Sequence, residues 1–347
     1  MFGLSDALRA KVDKEASRFY KLLKHAVHLR KEQVLIISDY GVGEKQLSAM
    51  VAYGYYLGAR KNDLHVTCLF QELKKEFMFM DAHVVKALEM LEKNSIIIVA
   101  VSDCVGRFSS LIGFEIFCER QGHRFILTTG LNQISLNHCG LLWESMFVSS
   151  ERMRKQAAVL KKKLDKAKEL RFKTTAGTDL TVSIEGRGSV LECGEYLTRG
   201  HGGDIPPGIL YLRFSEKIMA NGTVVVDGSI ATDSQSILLD EPVTLLVVDG
   251  KIVSWEGKHA GVFEEMMERL GERGYDLEMV GLVAGIGVGL NPHSLLIGSR
   301  TLDHLVLGTA SIELCVRGRK GTLPLYLPQV FKNPTILVDG EKVVLVK

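Results

Sequence analysis

The stretch Ile96-Ile97-Ile98-Val99-Ala100-Val101 decides the class of the N-terminal part of the chain. It is a short, continuous apolar run, which predicts a fully buried strand. Val34 to Ser38 and Phe125 to Thr128 are further predicted strands, and helical segments lie between them. Continuous apolar strands that alternate with helices are typical of a parallel sheet covered on both faces. The sequence therefore predicts an α/β domain with a mainly parallel sheet over residues 1–150.

A strongly charged segment follows, which we interpret as a connecting helix over residues 151–171. It is rich in Lys and Arg and contains no Gly or Pro. The bases could bind nucleic acid, but Asp165 and Glu169 lie among them, and no aromatic side chains are interleaved as a stacking surface requires. A solvated helix is the favoured interpretation.

The remainder of the chain, residues 172–347, has a different pattern. Asx-Gly pairs lie between apolar runs at Asn221-Gly222, Asp227-Gly228 and Asp249-Gly250, and the last of these predicts a tight hairpin. One helical segment, Gly261 to Leu270, interrupts the strands. The pattern predicts a mainly antiparallel, β-rich α+β domain.

Composition excludes several classes of function. The 347 residues are 46% hydrophobic and carry a net charge of +2 from balanced acids and bases, so no field attracts nucleic acid or an anionic membrane. The six cysteines show no paired spacing and are interpreted as reduced thiols. The first 30 residues lack the apolar core of a signal peptide, and no apolar run reaches the roughly 18 residues of a membrane span. A cytoplasmic protein is expected.

Gly41-Val42-Gly43 lies between a predicted strand and a helix, where backbone amides can hold a phosphate. The segment lacks the third glycine of a dinucleotide fingerprint and the Lys-Ser/Thr of a P-loop. An ordinary strand-to-helix turn is therefore favoured.

Four strings in the β-rich part belong together: Gly177 to Thr181, Gly285 to Pro292, Gly308 to Thr309, and Pro334 to Gly340. In this order they resemble the thermophilic metalloaminopeptidases, the aminopeptidase T and aminopeptidase S family. The N-terminal α/β pattern fits the same family from about Lys31 onward. The resemblance implies a cleft between two domains and a homodimer formed through the second domain.

The resemblance also implies where metal ligands would stand. The family's ligand positions fall on Ile209, Ala284, Ser311, Tyr326 and Pro328, which supply neither carboxylate nor imidazole. Two divalent ions need several such ligands. The resemblance thus implies that no metal cofactor is held at the usual site. Iron-dependent ring-opening dioxygenases of the same structural superfamily use a His-x-Asp pair, which is also missing from this position.

Several polar residues remain near this frame as candidates for a cleft: His201, Asp204, His293, Asp303, His304 and Ser311. An alternative to the absence of a cofactor is one divalent metal, Zn, Co, Mn or Fe, at a relocated site, with Asp303 and His304 as the first ligands to test. Neighbouring residues on a strand point to opposite faces, so at most one of the two would enter a cleft. No catalytic residue is assigned.

The resemblance leads to an expectation of function with two alternatives. The leading expectation is an aminopeptidase T-like, catalytically degenerate member of a metallopeptidase family that binds a peptide or small molecule. The first alternative is an active metal-dependent aminopeptidase or other hydrolase with a relocated metal, and the second is a structural or assembly protein. Bound metal together with cleavage of aminoacyl-anilides would separate these classes.

Overall fold

The structure is a computed structural model that describes residues 2–43, 45–75, 78–109, 112–214, 218–277, 280–316 and 325–345. The chain divides into two compact units. The N-terminal unit comprises Met1–Val148 and Gly194–Pro207. The C-terminal unit comprises Ser149–Cys193 and Gly208–Lys347.

The helices of the described residues are α1 (Asp6–Asp13), α2 (Ala16–Ala26), α3 (Leu47–Arg60), α4 (Ala82–Glu89), α5 (Phe114–Gln121), α6 (Cys139–Met146), α7 (Ser150–Leu164) and α8 (Gly261–Glu272). The strands are β1 (Val34–Ser38), β2 (Val66–Phe70), β3 (Ile96–Ala100), β4 (Arg124–Thr128), β5 (Glu169–Lys173), β6 (Asp179–Ser183), β7 (Val190–Glu192), β8 (Gly202–Asp204), β9 (Ile209–Arg213), β10 (Ala220–Val226), β11 (Ser229–Ala231), β12 (Ser236–Leu238), β13 (Val243–Val248), β14 (Lys251–Glu256), β15 (Val283–Gly289), β16 (Thr309–Val316), β17 (Leu325–Lys332), β18 (Thr335–Val338) and β19 (Glu341–Val343). Short 3-10 turns occur at Leu131–Gln133, Leu136–His138 and Asp303–Leu305.

The N-terminal unit is built on a parallel sheet with the strand order β2-β1-β3-β4-β8. Every residue of β1 and β3 is buried, so both faces of the sheet are covered. Ile37 and Val99 pack in one core cluster with Leu88 of α4 and Phe117 of α5. This architecture confirms the predicted α/β fold with a mainly parallel sheet.

The C-terminal unit contains two antiparallel sheets. The first sheet has the order β14-β13-β10-β6-β5-β18-β19, and the second has the order β12-β11-β17-β16-β15-β9-β7. Phe172 of β5 meets Phe331 of β17 edge to face, with ring centroids 5.6 Å apart, so these two sheets pack against each other. The two-residue hairpin at Asp249-Gly250 joins β13 to β14 with both residues at positive φ. The predicted antiparallel, β-rich fold is confirmed.

The compact units differ from the predicted domain ranges at two places. Gly194–Pro207 belongs to the N-terminal unit, because β8 pairs with β4 of the parallel sheet. A Cβ on Gly202 would lie 2.3 Å from the backbone oxygen of Phe125, so glycine is needed for this pairing. The charged segment forms α7 within the C-terminal unit and ends at Leu164, and β5 begins at Glu169.

Within the described part of the chain, no helix is long and apolar enough to cross a membrane. All six cysteines are free thiols, and the described structure buries four of them.

Candidate functional site

A polar row crosses the second sheet of the C-terminal unit. Arg213 on β9 pairs with Gly285 on β15, which pairs with Glu313 on β16, and Glu313 pairs with Pro328 on β17. Directly paired residues share one face of a sheet. We call these four residues the Arg213–Glu313 row. The parallel row beside it consists of Tyr211, Gly287, Ser311 and Val330.

These rows lie on the face of the second sheet that points away from the first sheet. Phe331 packs against Phe172 of the first sheet, and successive residues of a strand alternate between faces. Val330 and its cross-strand partner Ser311 therefore face the opposite way, together with Glu313. The 3-10 turn Asp303–Leu305 packs against β15, β16 and β17, and the backbone oxygen of Val306 lies over Gly289 on this same face.

The alternate glycines of β15 make room for side chains of the neighbouring strands. A Cβ on Gly285 would be 2.7 Å from Glu313 Oε2, and one on Gly287 would be 2.6 Å from Ile209 Cδ1 and 2.8 Å from Ser311 Oγ. The glycines thus let the carboxyl group of Glu313 lie across β15 toward Arg213. The glycine density of this segment follows from packing within the unit.

Glu313 is a buried carboxyl group without a hydrogen-bond partner at Oε2. Its exposed fraction is 6%, and burial raises its pKa while the charge of Arg213 counteracts this rise. Ser311 is fully buried, and its Oγ also lacks a partner. Most buried polar groups in proteins are hydrogen-bonded, because an unpaired one costs free energy. Unpaired buried polar groups are typical of binding or catalytic sites, and Glu313 and Ser311 are two such groups on adjacent rows.

Arg213 supplies positive charge at the open end of its row. Its guanidinium carbon lies 4.5 Å from the ring centroid of Tyr211 and 5.1 Å from that of Tyr326, so two aromatic rings position the cation. The Tyr211 hydroxyl donates a 3.2 Å hydrogen bond to Glu192 Oε1, and burial raises the pKa of Tyr211. Arg213 is exposed whereas Glu313 is buried. The row therefore runs from an accessible cation to a buried carboxyl group.

Asp303 organises the turn that lies over this sheet. Its Oδ1 accepts from the N–H of Ile297 at 2.9 Å, and its Oδ2 accepts from the N–H of Gly298 and of Ser299, both at 3.1 Å. Burial raises the pKa of Asp303, and these hydrogen bonds partly oppose the rise. Both carboxyl oxygens are thus engaged by backbone amides.

His304 follows Asp303 in the same 3-10 turn, so the two residues do not alternate as they would on a strand. The Nδ1 atom of His304 is buried and has no hydrogen-bond partner. Burial lowers the pKa of His304 to about 4, and the charges of Arg300 and Arg213 contribute to the shift. The imidazole is therefore neutral at pH 7.

The remaining candidates occupy exposed positions. His293 lies in the loop after β15, where its N–H donates to Asn291 Oδ1 at 3.0 Å. His201 precedes β8 in the N-terminal unit, and Asp204 ends that strand, with its backbone oxygen accepting from the Tyr196 hydroxyl at 2.7 Å. The roles of these residues in a site stay predictions.

The sequence reasoning missed Arg213 and Tyr211 as parts of a site. Their signal was present as Tyr211-x-Arg213 in one strand and Ser311-x-Glu313 in another, each a pair of polar residues at the spacing of one strand face. The register between β9, β15 and β16, which only the structure provides, brings the two pairs together.

The described residues do not fit a resident divalent metal. Among them, no three His, Cys, Asp or Glu side chains lie close enough together to hold an ion. Ile209 and Ser311 offer no carboxylate or imidazole, and the Asp303 oxygens already accept three backbone amides. Glu313 alone is a single ligand, fewer than a protein metal site requires. We therefore assign no ligand role to these residues.

The two-unit architecture is found in solved structures of two kinds. The structure of 2,5-dihydroxypyridine dioxygenase from Pseudomonas putida KT2440 is 17% identical, matches 96% of each chain and superimposes with a TM-score of 0.70. Wild-type AmpT from Thermus thermophilus is 13% identical, with 95% of this chain and 97% of AmpT covered and a TM-score of 0.57. At these identities the likeness defines the fold. It supports the distant aminopeptidase-like fold that the sequence strings indicated. No curated protein sequence gives a significant match to the chain.

The family is defined by sequence. The family described as NicX: 2,5-dihydroxypyridine 5,6-dioxygenase matches residues 16–297, and the chain belongs to this family. The expected aminopeptidase-like function is therefore wrong, both as a degenerate protein and as an active hydrolase, and so are the metallopeptidase and pseudoenzyme descriptions. The strings that suggested an aminopeptidase include Gly285 and Gly287. These glycines are required for packing in the fold, so their presence carries no information about the reaction.

Proposed function

We propose that the protein is a dioxygenase that opens a hydroxylated aromatic ring of the dihydroxypyridine class. The match of the NicX family to residues 16–297 carries this proposal. The structural likeness to a 2,5-dihydroxypyridine dioxygenase over 96% of both chains supports it at the level of the fold. The Arg213–Glu313 row supports it chemically, because a cation and a buried carboxyl group suit a polar ring that carries a hydroxyl group.

In the proposed reaction, a bond between two ring carbons breaks and each carbon receives one atom of O₂. Both oxygen atoms enter the product, so the reaction needs no further reductant. The chain contributes hydrogen bonding and charge from Glu313 and Arg213, and the burial of Ser311 and Glu313 keeps bulk water away from these two groups.

Membership of a dioxygenase family is compatible with the alternative of one divalent metal, and it gives no support to the expectation of no cofactor. Within the metals considered, Zn, Co, Mn or Fe, iron is the first to test in a ring-opening dioxygenase. The described residues provide no ligand set for it.

A small-molecule ligand, a homodimer and a cytoplasmic location are further parts of this proposal. Free thiols throughout the chain support a reducing compartment. The homodimer follows from the aminopeptidase resemblance alone. Light scattering on the purified chain tests it, since a mass of 38.4 kDa would correspond to one chain.

The activity is tested with 2,5-dihydroxypyridine in air-saturated buffer. O₂ uptake and loss of the ring absorbance are measured together in four kinds of sample. One has no added metal, one has Fe²⁺, one has another of the candidate metals, and one has a chelator. We expect O₂ and ring to disappear in equal amounts in at least one sample. Benzene-1,4-diol serves as a ring control without the nitrogen. Folded protein that consumes no O₂ with the dihydroxypyridine under any of these conditions would overturn the proposal.

A further inference from the structure

The carboxyl group of Glu313 lacks a structural explanation among its described neighbours. Only 6% of Glu313 is exposed, yet its Oε2 receives no hydrogen bond. A residue kept for stability alone would be expected to have a donor here, because burying an unpaired polar group is unfavourable. Asp303 in the same unit shows the usual arrangement, with three backbone donors. The free acceptor at Glu313 is therefore suited to a donor from outside the chain.

The opposite end of the row offers the complementary group. Arg213 is held between the rings of Tyr211 and Tyr326, at 4.5 and 5.1 Å from their centroids, which limits the positions its guanidinium group can adopt. Arg213 and Glu313 share one face and are separated by a strand whose residue in the row is Gly285. Strands lie about 4.8 Å apart, so two strand spacings separate the backbones by about 10 Å, and the side chains approach across the glycine. A ligand with polar groups at both ends can contact both side chains along this row.

Ser311 adds a second buried polar atom beside the carboxyl group. It stands two residues before Glu313 on the same face of β16, and its Oγ is fully buried without a partner. A hydroxyl both donates and accepts, so Ser311 can bond to a ring hydroxyl or a ring nitrogen. Among the described residues, Glu313 is not part of any group of three His, Cys, Asp or Glu side chains that could hold a metal ion.

We propose that Glu313 and Arg213 form a two-point binding site for a small planar ring, in which a ring hydroxyl donates to Glu313 and an acceptor or anionic oxygen of the same ring binds Arg213. Ser311 is a further contact for the same ligand. This inference rests on the proposed function and specifies how the ring is recognised. It distinguishes hydroxylated rings from rings that lack a donor.

Binding is measured by calorimetry under anaerobic conditions, which prevent turnover. The probes are 2,5-dihydroxypyridine, 2-hydroxypyridine with a single oxygen substituent, and pyridine with none. The dihydroxylated ring should bind most tightly and pyridine should not bind measurably.

Glu313→Leu removes the acceptor and Glu313→Gln removes its charge. Loss of a hydrogen bond to a charged group should weaken binding of the dihydroxylated ring roughly ten-fold or more in Glu313→Leu and in Arg213→Met.

Matched controls separate the row from general effects. Glu256→Gln changes an exposed glutamate on β14, and Arg187→Met removes an arginine that lies 5.5 Å from the Phe214 ring centroid. Both lie in the C-terminal unit outside the row and should leave affinity unchanged. Circular dichroism and thermal unfolding establish that each variant is folded. Wild-type affinity in folded Glu313→Leu, or the lack of any binding of the dihydroxylated ring to wild type, would overturn the inference.

The results also separate this inference from the proposed function. Ring opening in air combined with binding that is indifferent to Glu313 and Arg213 would leave the dioxygenase proposal in place and remove the two-point site. Binding that depends on both residues, without O₂ uptake under any metal condition, would remove the dioxygenase proposal and leave the site.

Discussion

The carboxyl group of Glu313 lies over Gly285 of the neighbouring strand, so close that a Cβ on the glycine would be 2.7 Å from Oε2. The position of the carboxyl group therefore depends on residue 285 being a glycine, which has no side chain. This dependence gives a way to move the acid without altering it.

Gly285→Ala should displace the Glu313 carboxyl group while leaving the fold intact. The closest atom belongs to the end of a flexible side chain, and the Leu212 backbone oxygen at 3.2 Å needs only a small shift. We expect affinity for a hydroxylated ring to fall about ten-fold, as for loss of one charged hydrogen bond, with little change in melting temperature. Calorimetry and thermal unfolding measure the two effects. Gly261→Ala, at a glycine with open space around it, is the control and should change neither.

Gly289→Ala should instead damage the unit itself. A Cβ at this position would lie 2.1 Å from the backbone oxygen of Val306, which cannot move without shifting the turn that contains Asp303. Overpacking of this kind costs about 1–3 kcal/mol or more. Urea unfolding should show a clear loss of stability relative to wild type and to Gly285→Ala. Equal stability of the two alanine variants would contradict the close approach of this turn to β15.

Glu313→Gln should stabilise the protein at alkaline pH. Burial raises the pKa of Glu313 above its ordinary value of 4.5. In the pH window between 4.5 and the raised pKa, the folded state therefore binds more protons than the unfolded state. Wild-type stability therefore falls as pH rises through the window, and the glutamine variant escapes this loss. We expect a gain on the order of 1 kcal/mol at pH 8 that shrinks toward pH 4. A variant that is less stable than wild type at pH 8 would indicate a favourable partner for the carboxylate.

The fold was predictable because its signals are local. The apolar runs at Val34 and Ile96 require burial on both faces, and Asp249-Gly250 has the turn chemistry of a two-residue hairpin. Asn221-Gly222 is also an Asx-Gly pair but lies inside β10, where a Cβ on Gly222 would come within 2.0 Å of the Asp179 backbone oxygen. Asx-Gly pairs thus occur both in a hairpin turn and within a strand, and sequence alone does not separate the two.

The site was less predictable because it depends on register between distant strands. Arg213 and Glu313 are 100 positions apart in the chain, and their shared row exists only through Gly285 between them. Asp303 is a predicted cleft residue and a candidate metal ligand, and in the structure its oxygens accept hydrogen bonds from the amides of residues 297–299. The family was less predictable too, because the glycines that match the aminopeptidase strings are needed for packing in the shared fold.

Asp303→Ala should loosen its turn without affecting bound metal. The change leaves the N–H groups of Ile297, Gly298 and Ser299 without their acceptor, at a cost of about 1–3 kcal/mol for a buried donor that stays unpaired. Hydrogen exchange of residues 297–299 should become faster and the melting temperature should fall. Metal content, measured by elemental analysis after incubation with Fe²⁺, should equal that of wild type. A folded Asp303→Ala variant that loses stoichiometric metal would show that Asp303 is a ligand.

His304 should make the protein less stable as pH falls below neutrality. The pKa of His304 is lowered from 6.5 to about 4, mainly by burial, so the unfolded state takes up a proton over this interval and the folded state does not. The stability contributed by the neutral ring is complete above pH 6.5 and is lost as pH falls toward 4, with roughly 3 kcal/mol as an upper limit. The residue as a whole is half-buried, which reduces the effect. Urea unfolding of wild type and His304→Gln at pH 7.5, 6 and 5 should give a difference that changes with pH, whereas His293→Gln, at an exposed histidine, should follow wild type throughout. Parallel pH curves for wild type and His304→Gln would mean that the imidazole is protonated equally easily in the folded and unfolded chains.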